Sequence, residues 1–105
     1  MRKIEQDMLA AIRCAKSYWK QANTEIKSGI MPSGHHRVYV YLHGNEIAYC
    51  DVDRSSRHIG RVKVNHDVLA SWPTVTTKSR LRALGVDLTQ TKGKIYIDNQ
   101  FICEA

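Results

Sequence analysis

The feature that most constrains the fold is a run of alternating side chains that starts at Val38. Val38, Val40 and Leu42 share one face of a strand, because successive residues of a strand point to opposite sides. A tight turn at residues 43–46 and an apolar return segment at residues 47–52 complete an antiparallel hairpin. One face of this hairpin is apolar, so other parts of the chain have to cover it.

An amphipathic helix is predicted to precede the hairpin. Its apolar side chains recur at steps of three and four residues, which places them on one face. These side chains are Ile4, Met8, Ala11, Ile12, Ala15 and Trp19. The helix is expected to end at Asn23 and Thr24, and residues 24–30 are expected to form a short strand. Trp19 is then a core residue on the inward face of the helix.

The segment after the hairpin is predicted to continue the sheet and then to change to helix. A polar loop is expected at residues 51–56, and residues 58–64 alternate again as a strand. Asn65 is a suitable N-cap for a short helix that runs through Trp72. Trp72, like Trp19, is expected in the core.

A second short helix is predicted next, with Thr76 or Thr77 as its cap. It directs Leu81 and Leu84 inward and ends at Gly85, where a left-handed C-cap residue belongs. A terminal hairpin follows. The predicted fold class is α+β, with an antiparallel sheet packed by an N-terminal helix, two short helices and a C-terminal hairpin. One domain is predicted to span residues 1–105.

The charge of the chain favours anionic partners. Sixteen Lys and Arg residues oppose ten Asp and Glu residues, which gives a formal charge of +6 and a pI of about 9.4. Such a surface attracts polyanions and acidic protein faces. Cys14, Cys50 and Cys103 are far apart and odd in number, which fits reduced, buried thiols better than a disulfide framework. Without a recognisable signal peptide or membrane-spanning stretch, the expected location is cytoplasmic, with no membrane contact.

Patterns for catalysis or metal binding are weak. The five histidines lack the spacing of a nuclease metal site, because no second ligand follows His66 one helical turn later. Asp51 and Asp53 stand beside Arg54 and Arg57, which is typical of a solvated ion-pair cluster and not of a catalytic dyad. No nucleophile motif or glycine-rich phosphate loop is present. The chain is therefore predicted not to be an enzyme and to need no cofactor or metal.

Two basic clusters are the candidate binding sites. The first runs from the polar loop into the following strand and consists of Arg54, Arg57, Arg61 and Lys63. Tyr39 and Tyr41 are expected on the same sheet face, unless the tyrosines pack beneath the first helix. Arginine with tyrosine on a sheet suits stacking on bases, phosphate contact or a protein interface.

The second cluster consists of Lys78, Arg80 and Arg82, which are predicted to point partly or wholly to solvent from the second short helix. Cations on a short helix with an exposed N-terminus suit phosphate contacts. The preceding helix and the turn at residues 92–94 would complete a winged helix-turn-helix. The connection between the helices looks extended, however, and it lacks the glycine that such turns often carry. A solvated basic face is the simpler interpretation.

Two segments carry a resemblance to known proteins. Residues 39–47 (Tyr-Val-Tyr-Leu-His-Gly-Asn-Glu-Ile) and residues 69–86, which include Trp-Pro-Thr-Val-Thr-Thr-Lys-Ser-Arg-Leu-Arg-Ala-Leu-Gly, resemble a family of small proteins from tailed bacteriophages. The opening helix is similar too. The resemblance implies a phage origin, a small α+β domain and a place in the cytoplasm of an infected bacterium. It implies no particular activity or site.

The leading hypothesis is therefore a small basic phage accessory protein that binds nucleic acid, or a nucleic-acid complex, stoichiometrically. The alternative is an inhibitor that binds an acidic or nucleic-acid-binding face of a host bacterial protein, in host takeover or counter-defence. A homo-oligomer paired through an exposed sheet edge is a third interpretation.

Overall fold

The computed structural model describes residues 1–53 and 55–104, in which the chain forms three helices and nine strands. In chain order they are α1 (Lys3–Arg13), β1 (Tyr18–Gln21), β2 (Thr24–Ile30), β3 (His36–Leu42), β4 (Asn45–Asp53), β5 (His58–Ile59), β6 (Lys63–Val64), α2 (His66–Ser71), α3 (Val75–Ala83), β7 (Leu88–Thr91), β8 (Lys94–Ile97) and β9 (Gln100–Glu104). Every pairing between these strands is antiparallel. The predicted α+β class is confirmed.

The first sheet is built around the predicted hairpin. Strands β1 to β5 neighbour one another in chain order, and β6 also pairs with β4. Val38, Val40 and Leu42 are buried on the inner face of β3, as their alternation predicts. The strand β4 is longer than predicted, because it continues through Asp53 into the segment that was expected to be a loop.

A β-bulge between Val40 and Tyr41 shifts the register of the hairpin. Val40 lies opposite Ala48, whereas Tyr41 lies opposite Glu46, so Ile47 has no partner of its own. Ile47 and Ala48 are both buried, since the extra residue lets two successive side chains point to the same side. The bulge therefore decides which side chains of β4 face outward beyond it.

The helix α1 ends at Arg13, well before the predicted end at Asn23. Ala15 adopts a φ of 48°, a left-handed conformation that an α-helix cannot continue through. The hydroxyl of Ser28 donates to the carbonyl oxygens of Ala15, at 3.1 Å, and Lys16, at 2.7 Å. These contacts hold the chain reversal that leads into β1.

A row of apolar side chains crosses the inner face of five strands. From β1 to β6 it consists of Trp19, Ile26, Val40, Ala48 and Val64. Apolar residues of all three helices belong to the same core. The prediction that Trp19 points inward is confirmed, but the prediction that it does so from the first helix is wrong.

The caps of the two short helices differ in how well they were predicted. Asn65 caps α2 as expected, and its side chain accepts a 3.2 Å hydrogen bond from the first turn. The cap of α3 is Thr74, which accepts from the backbone N–H of Thr77 at 3.1 Å, and not Thr76 or Thr77. Trp72 is 58% exposed, because the backbone leaves helical geometry there. The prediction that Trp72 lies in the core is wrong.

The C-terminal strands form a second sheet in the order β7, β8, β9. This sheet contains the predicted hairpin and adds a third strand to it. Gly85 follows α3 with a φ of 93°, as expected for a left-handed C-cap residue. Leu81, Leu88 and Ile95 join the core of the first sheet.

A buried ion pair ties α1 to α3. Arg80 Nη1 donates to Glu5 Oε2 at 2.8 Å, and Arg80 Nε donates to Thr24 Oγ1 at 3.0 Å. Ser79 Oγ donates to the same Glu5 oxygen at 2.6 Å. Each side chain of the pair is only 4% exposed. The prediction that Arg80 points to solvent is therefore wrong.

Candidate functional site

The outer face of the first sheet is the side turned away from the helices. Its central row combines three aromatic and two cationic side chains across five strands, and we call it the tyrosine–lysine row. The row consists of Tyr18, Lys27, Tyr39, Tyr49 and Lys63, each paired with the next across the sheet. None of these side chains is buried. The tyrosines accordingly do not pack beneath α1, which lies on the opposite face.

The aromatic rings of the outer face contact one another and nearby cations. The ring centroids of Tyr39 and Tyr49 are 5.8 Å apart, with an interplanar angle of 43°. The Arg37 guanidinium carbon lies 4.8 Å from the Tyr49 centroid, and Lys27 Nζ lies 5.1 Å from the Tyr41 centroid. These are distances at which cation–π attraction operates. The contacts orient the rings and leave part of each exposed.

The rows on either side of the tyrosine–lysine row carry carboxylates as well as cations. One row holds Lys20, Glu25, Tyr41 and Glu46, and the other holds Arg37 and Asp51. Burial raises the pKa of the Tyr41 hydroxyl, and the charges of Glu46 and Glu25 raise it further. Tyr41 is thus a neutral ring at physiological pH, flanked by acidic groups.

Asp51 is engaged by two basic neighbours. Arg37 donates to its carboxylate from Nε at 2.8 Å and from Nη2 at 3.3 Å. His35 Nε2 lies 3.3 Å from the Asp51 Oδ1 atom. The hydrogen bond from Arg37 is the main cause that lowers the pKa of Asp51, and His35 adds to it. Among the described residues, the partners of Asp51 are therefore Arg37 and His35 and not the predicted Arg57, whereas Arg54 lies outside the described residues.

Ser33, His35 and Asp51 contact one another in the order of a hydrolase triad, but with the roles of the two ring nitrogens exchanged. Ser33 Oγ contacts His35 Nδ1, and Asp51 lies beyond the other ring nitrogen. The Asp51 charge is, however, already compensated by Arg37, so it would stabilise an imidazolium less than a triad carboxylate does. Ser33 is an exposed turn residue two positions from His35. The arrangement is that of a turn held by polar contacts.

The first predicted basic cluster is only partly brought together. Arg57 and Arg61 are exposed, and Arg61 Nη2 lies 3.6 Å from Asp98 Oδ2 of the second sheet. Lys63 belongs instead to the tyrosine–lysine row, beside Tyr49. Arg54 lies outside the described residues. A groove of about 450 Å³ lies between β6 and the second sheet, and Arg61, Lys63 and Asp98 are among the residues that line it.

The second predicted basic cluster is only partly a free surface. Arg80 is buried, as described above. Lys78 Nζ donates to the side-chain oxygen of Gln90, and Arg82 Nε donates to the carbonyl of Leu88 at 3.1 Å. Both remaining cations are therefore turned toward β7. Their contacts tie α3 to the second sheet, although Arg82 remains exposed.

A small apolar groove lies at the turn end of the hairpin. It has a volume of about 200 Å³ and is lined by Leu42, Ile47 and Val68, with Trp72 at its rim. Val75, near Trp72 in the chain, is 70% exposed. Exposed apolar side chains beside an apolar groove are typical of a contact site for another molecule.

The described residues contain no group of three or more His, Cys, Asp or Glu side chains placed to hold a metal ion. The prediction of buried thiols is confirmed for Cys50 and wrong for Cys14, which is exposed, whereas Cys103 is half-buried. Burial raises the pKa of the Cys50 thiol to about 11. Such a thiol is not a nucleophile at neutral pH. Among the described helices, none is both long and apolar enough to cross a membrane.

Sequence reasoning missed Tyr18, Lys27 and Tyr49 as members of the site. Tyr18 was assigned to a helix. Lys27 lies on a strand that was predicted, but its cross-strand neighbours depend on the register of β1 to β3. Tyr49 was expected to lie on the strand that is now β4, but the bulge decides that its side chain points to the outer face of the sheet. Counting back from a tight turn without a bulge would have placed Tyr49 on the inner face.

Comparison with known proteins gives a match to a protein family. The family model described as Kyanoviridae Gp96 protein matches residues 1–104. No curated protein and no solved structure is significantly similar to the chain. The match covers both sheets and all three helices, so the outer face lies within the family's common region.

Proposed function

The chain belongs to the Kyanoviridae Gp96 protein family, which makes it a phage protein, and we propose that it acts by stoichiometric binding to nucleic acid through the outer face of its first sheet. The observation that carries this proposal is the tyrosine–lysine row. Its place of action would be the cytoplasm of the infected host. The proposed mechanism involves no bond-making step.

The chemistry of the row supports nucleic acid as the ligand. Tyrosine rings offer flat surfaces on which bases stack, and lysine ammonium groups attract phosphates. The row places both groups on neighbouring strands that lie about 4.8 Å apart. Antiparallel sheets with exposed aromatics are used in this way by several nucleic-acid-binding domains. The chain's charge of +6 would draw the polyanion toward the molecule.

A winged helix is less well supported than the sheet face. The helices α2 and α3 are joined by a short connection and followed by a hairpin, as such a unit requires. The α3 side chains that would read bases are, however, held by intramolecular contacts: Ser79 by Glu5, Lys78 by Gln90 and Arg82 by Leu88. A recognition helix needs these groups free.

Fluorescence anisotropy with labelled oligonucleotides tests the proposal. We expect binding in the micromolar range or tighter at about 50 mM salt, which falls steeply at about 200 mM because phosphate contacts release counterions. The measurement uses the full chain with single-stranded DNA, RNA and duplex DNA. Absence of binding to all three at the lower salt would contradict the proposed function.

The apolar groove beside Trp72 favours a second candidate, an inhibitor that docks on a host bacterial protein. Exposed tryptophans are frequent anchors of protein interfaces. Trp72→Ala should leave the free energy of unfolding within about 0.5 kcal/mol, because Trp72 is mostly exposed, and should not alter nucleic-acid binding. It should abolish capture of one defined host protein in a comparative pull-down with the wild-type chain. Identical captured proteins for both chains would contradict this candidate.

A further inference from the structure

We infer that the outer face takes single-stranded nucleic acid, with unpaired bases stacked on Tyr39 and Tyr49. This inference rests on the proposed function and names its ligand class. Stacking needs accessible base faces, and a duplex offers these only at its ends. A duplex would have to be bound mainly through its phosphates. Whether the ligand is a single strand or a duplex therefore depends on how strongly this face can bind phosphates alone.

The charge of the outer face argues against a duplex. Its three central rows hold four cations, Lys20, Lys27, Arg37 and Lys63, and three carboxylates, Glu25, Glu46 and Asp51, and Asp53 adds a fourth carboxylate at the end of β4. Arg37 is further occupied by Asp51, at 2.8 Å. A duplex has closely spaced phosphates on two strands, and binding it by charge alone requires a consistently basic surface. This face is close to neutral.

The placement of the rings argues for stacking. Tyr39 and Tyr49 lie on the central strands β3 and β4, and Lys27 and Lys63 flank them on the neighbouring strands β2 and β6. A single strand that crosses the sheet along this row would meet a cation, two rings and a second cation in turn. Tyr18, which is 54% exposed, extends the aromatic surface at the β1 edge. Sheet surfaces of this kind stack two or three bases.

The test compares single strand and duplex of one sequence in the same anisotropy assay. The probes are oligodeoxynucleotides and oligoribonucleotides of about 12 nucleotides, within the site sizes of single-strand-binding domains. Wild type should bind single strands about tenfold or more tighter than duplex. Tyr39→Ala and Tyr49→Ala should each weaken single-strand binding about tenfold, whereas Tyr39→Phe and Tyr49→Phe should stay within about twofold, because a phenyl ring stacks without the hydroxyl.

Tyr96→Ala is the matched control. Tyr96 is a half-buried tyrosine of the second sheet, and its ring packs edge-on against Phe101 with the ring centroids 6.0 Å apart. The variant therefore removes a similar aromatic contact at a position away from the outer face. It should bind single strands as wild type does. The preference for single strand over duplex is measured on the wild-type chain alone. It therefore tests the inference even if an alanine variant fails to fold.

The outcomes separate the inference from the proposed function. Equal or tighter binding of duplex, or full binding by well-folded alanine variants, would overturn the inference and leave nucleic-acid binding in place. Loss of binding by the phenylalanine variants would also overturn it, since the hydroxyl and not the ring would then be the contact. No binding of any oligonucleotide would overturn both.

Discussion

Replacing Arg80 by Met should lower the free energy of unfolding by about 3–5 kcal/mol. The substitution removes the partner of Glu5 from a site where both side chains are 4% exposed. The carboxylate would keep its hydrogen bond from Ser79 but lose the guanidinium at 2.8 Å, and Thr24 would lose its donor. A buried charge without its counter-charge is among the costlier defects a core can carry. Urea unfolding followed by circular dichroism measures the loss.

Two further variants show whether the loss comes from the unpaired charge. Arg82→Met removes a mostly exposed arginine from the same helix and should cost about 0.5 kcal/mol or less. The double variant Glu5→Leu with Arg80→Met replaces the pair by apolar side chains and should be more stable than Arg80→Met alone. If Arg80→Met cost no more than Arg82→Met, the pair would contribute little to stability.

The same pair predicts a pH dependence. Burial alone would raise the pKa of Glu5, but hydrogen bonds from Ser79, Arg80 and the Arg2 backbone outweigh it, so the folded-state pKa is below the ordinary value of 4.5. A depressed carboxyl pKa contributes stability above the unfolded-state pKa, and this contribution is lost as the pH falls through the folded-state value. The acid side of the stability profile should therefore be flatter in the Glu5→Gln variant. Equal slopes in both proteins would contradict this.

Local patterns predicted much of the fold. The alternation of Val38, Val40 and Leu42 identified the central hairpin and its inner face, because apolar side chains at every second residue indicate a half-buried strand. Asn65 and Gly85 marked the start of α2 and the end of α3, because a cap acts through its own side chain or its own φ angle. These features depend on residues close in sequence, and the structure confirms them.

The errors arose where distant parts of the chain decide the outcome. Ala15 gives no signal of a left-handed conformation, so the apolar period appeared to continue to Trp19, which still points inward from a strand. Arg80 looked like a surface cation because its partner, Glu5, is 75 positions away. Chain-local pattern cannot reveal a pair of this kind. The candidate site was found only in part for the same reason, since the bulge in β4 sets the side of Tyr49.

Reversing the two lysines of the tyrosine–lysine row should have the largest effect on ligand binding. In Lys27→Glu with Lys63→Glu, two attractive positions become repulsive, so we expect single-strand affinity at about 50 mM salt to fall tenfold or more. The slope of log affinity against log salt should decrease by about two, since two phosphate contacts are lost. Anisotropy titrations over a series of salt concentrations measure both quantities.

The control has to carry the same change of charge away from the outer face. Lys3→Glu with Lys92→Glu meets this condition, because Lys3 lies at the start of α1 on the far side of the sheet and Lys92 lies in the β7–β8 turn. If general attraction by a positively charged molecule dominates, both double variants should lose affinity equally. If the row is the contact surface, the control should keep most of its affinity and its salt slope. Equal losses of affinity in the two double variants would therefore show that the ligand does not bind at the row, even if the chain does bind nucleic acid.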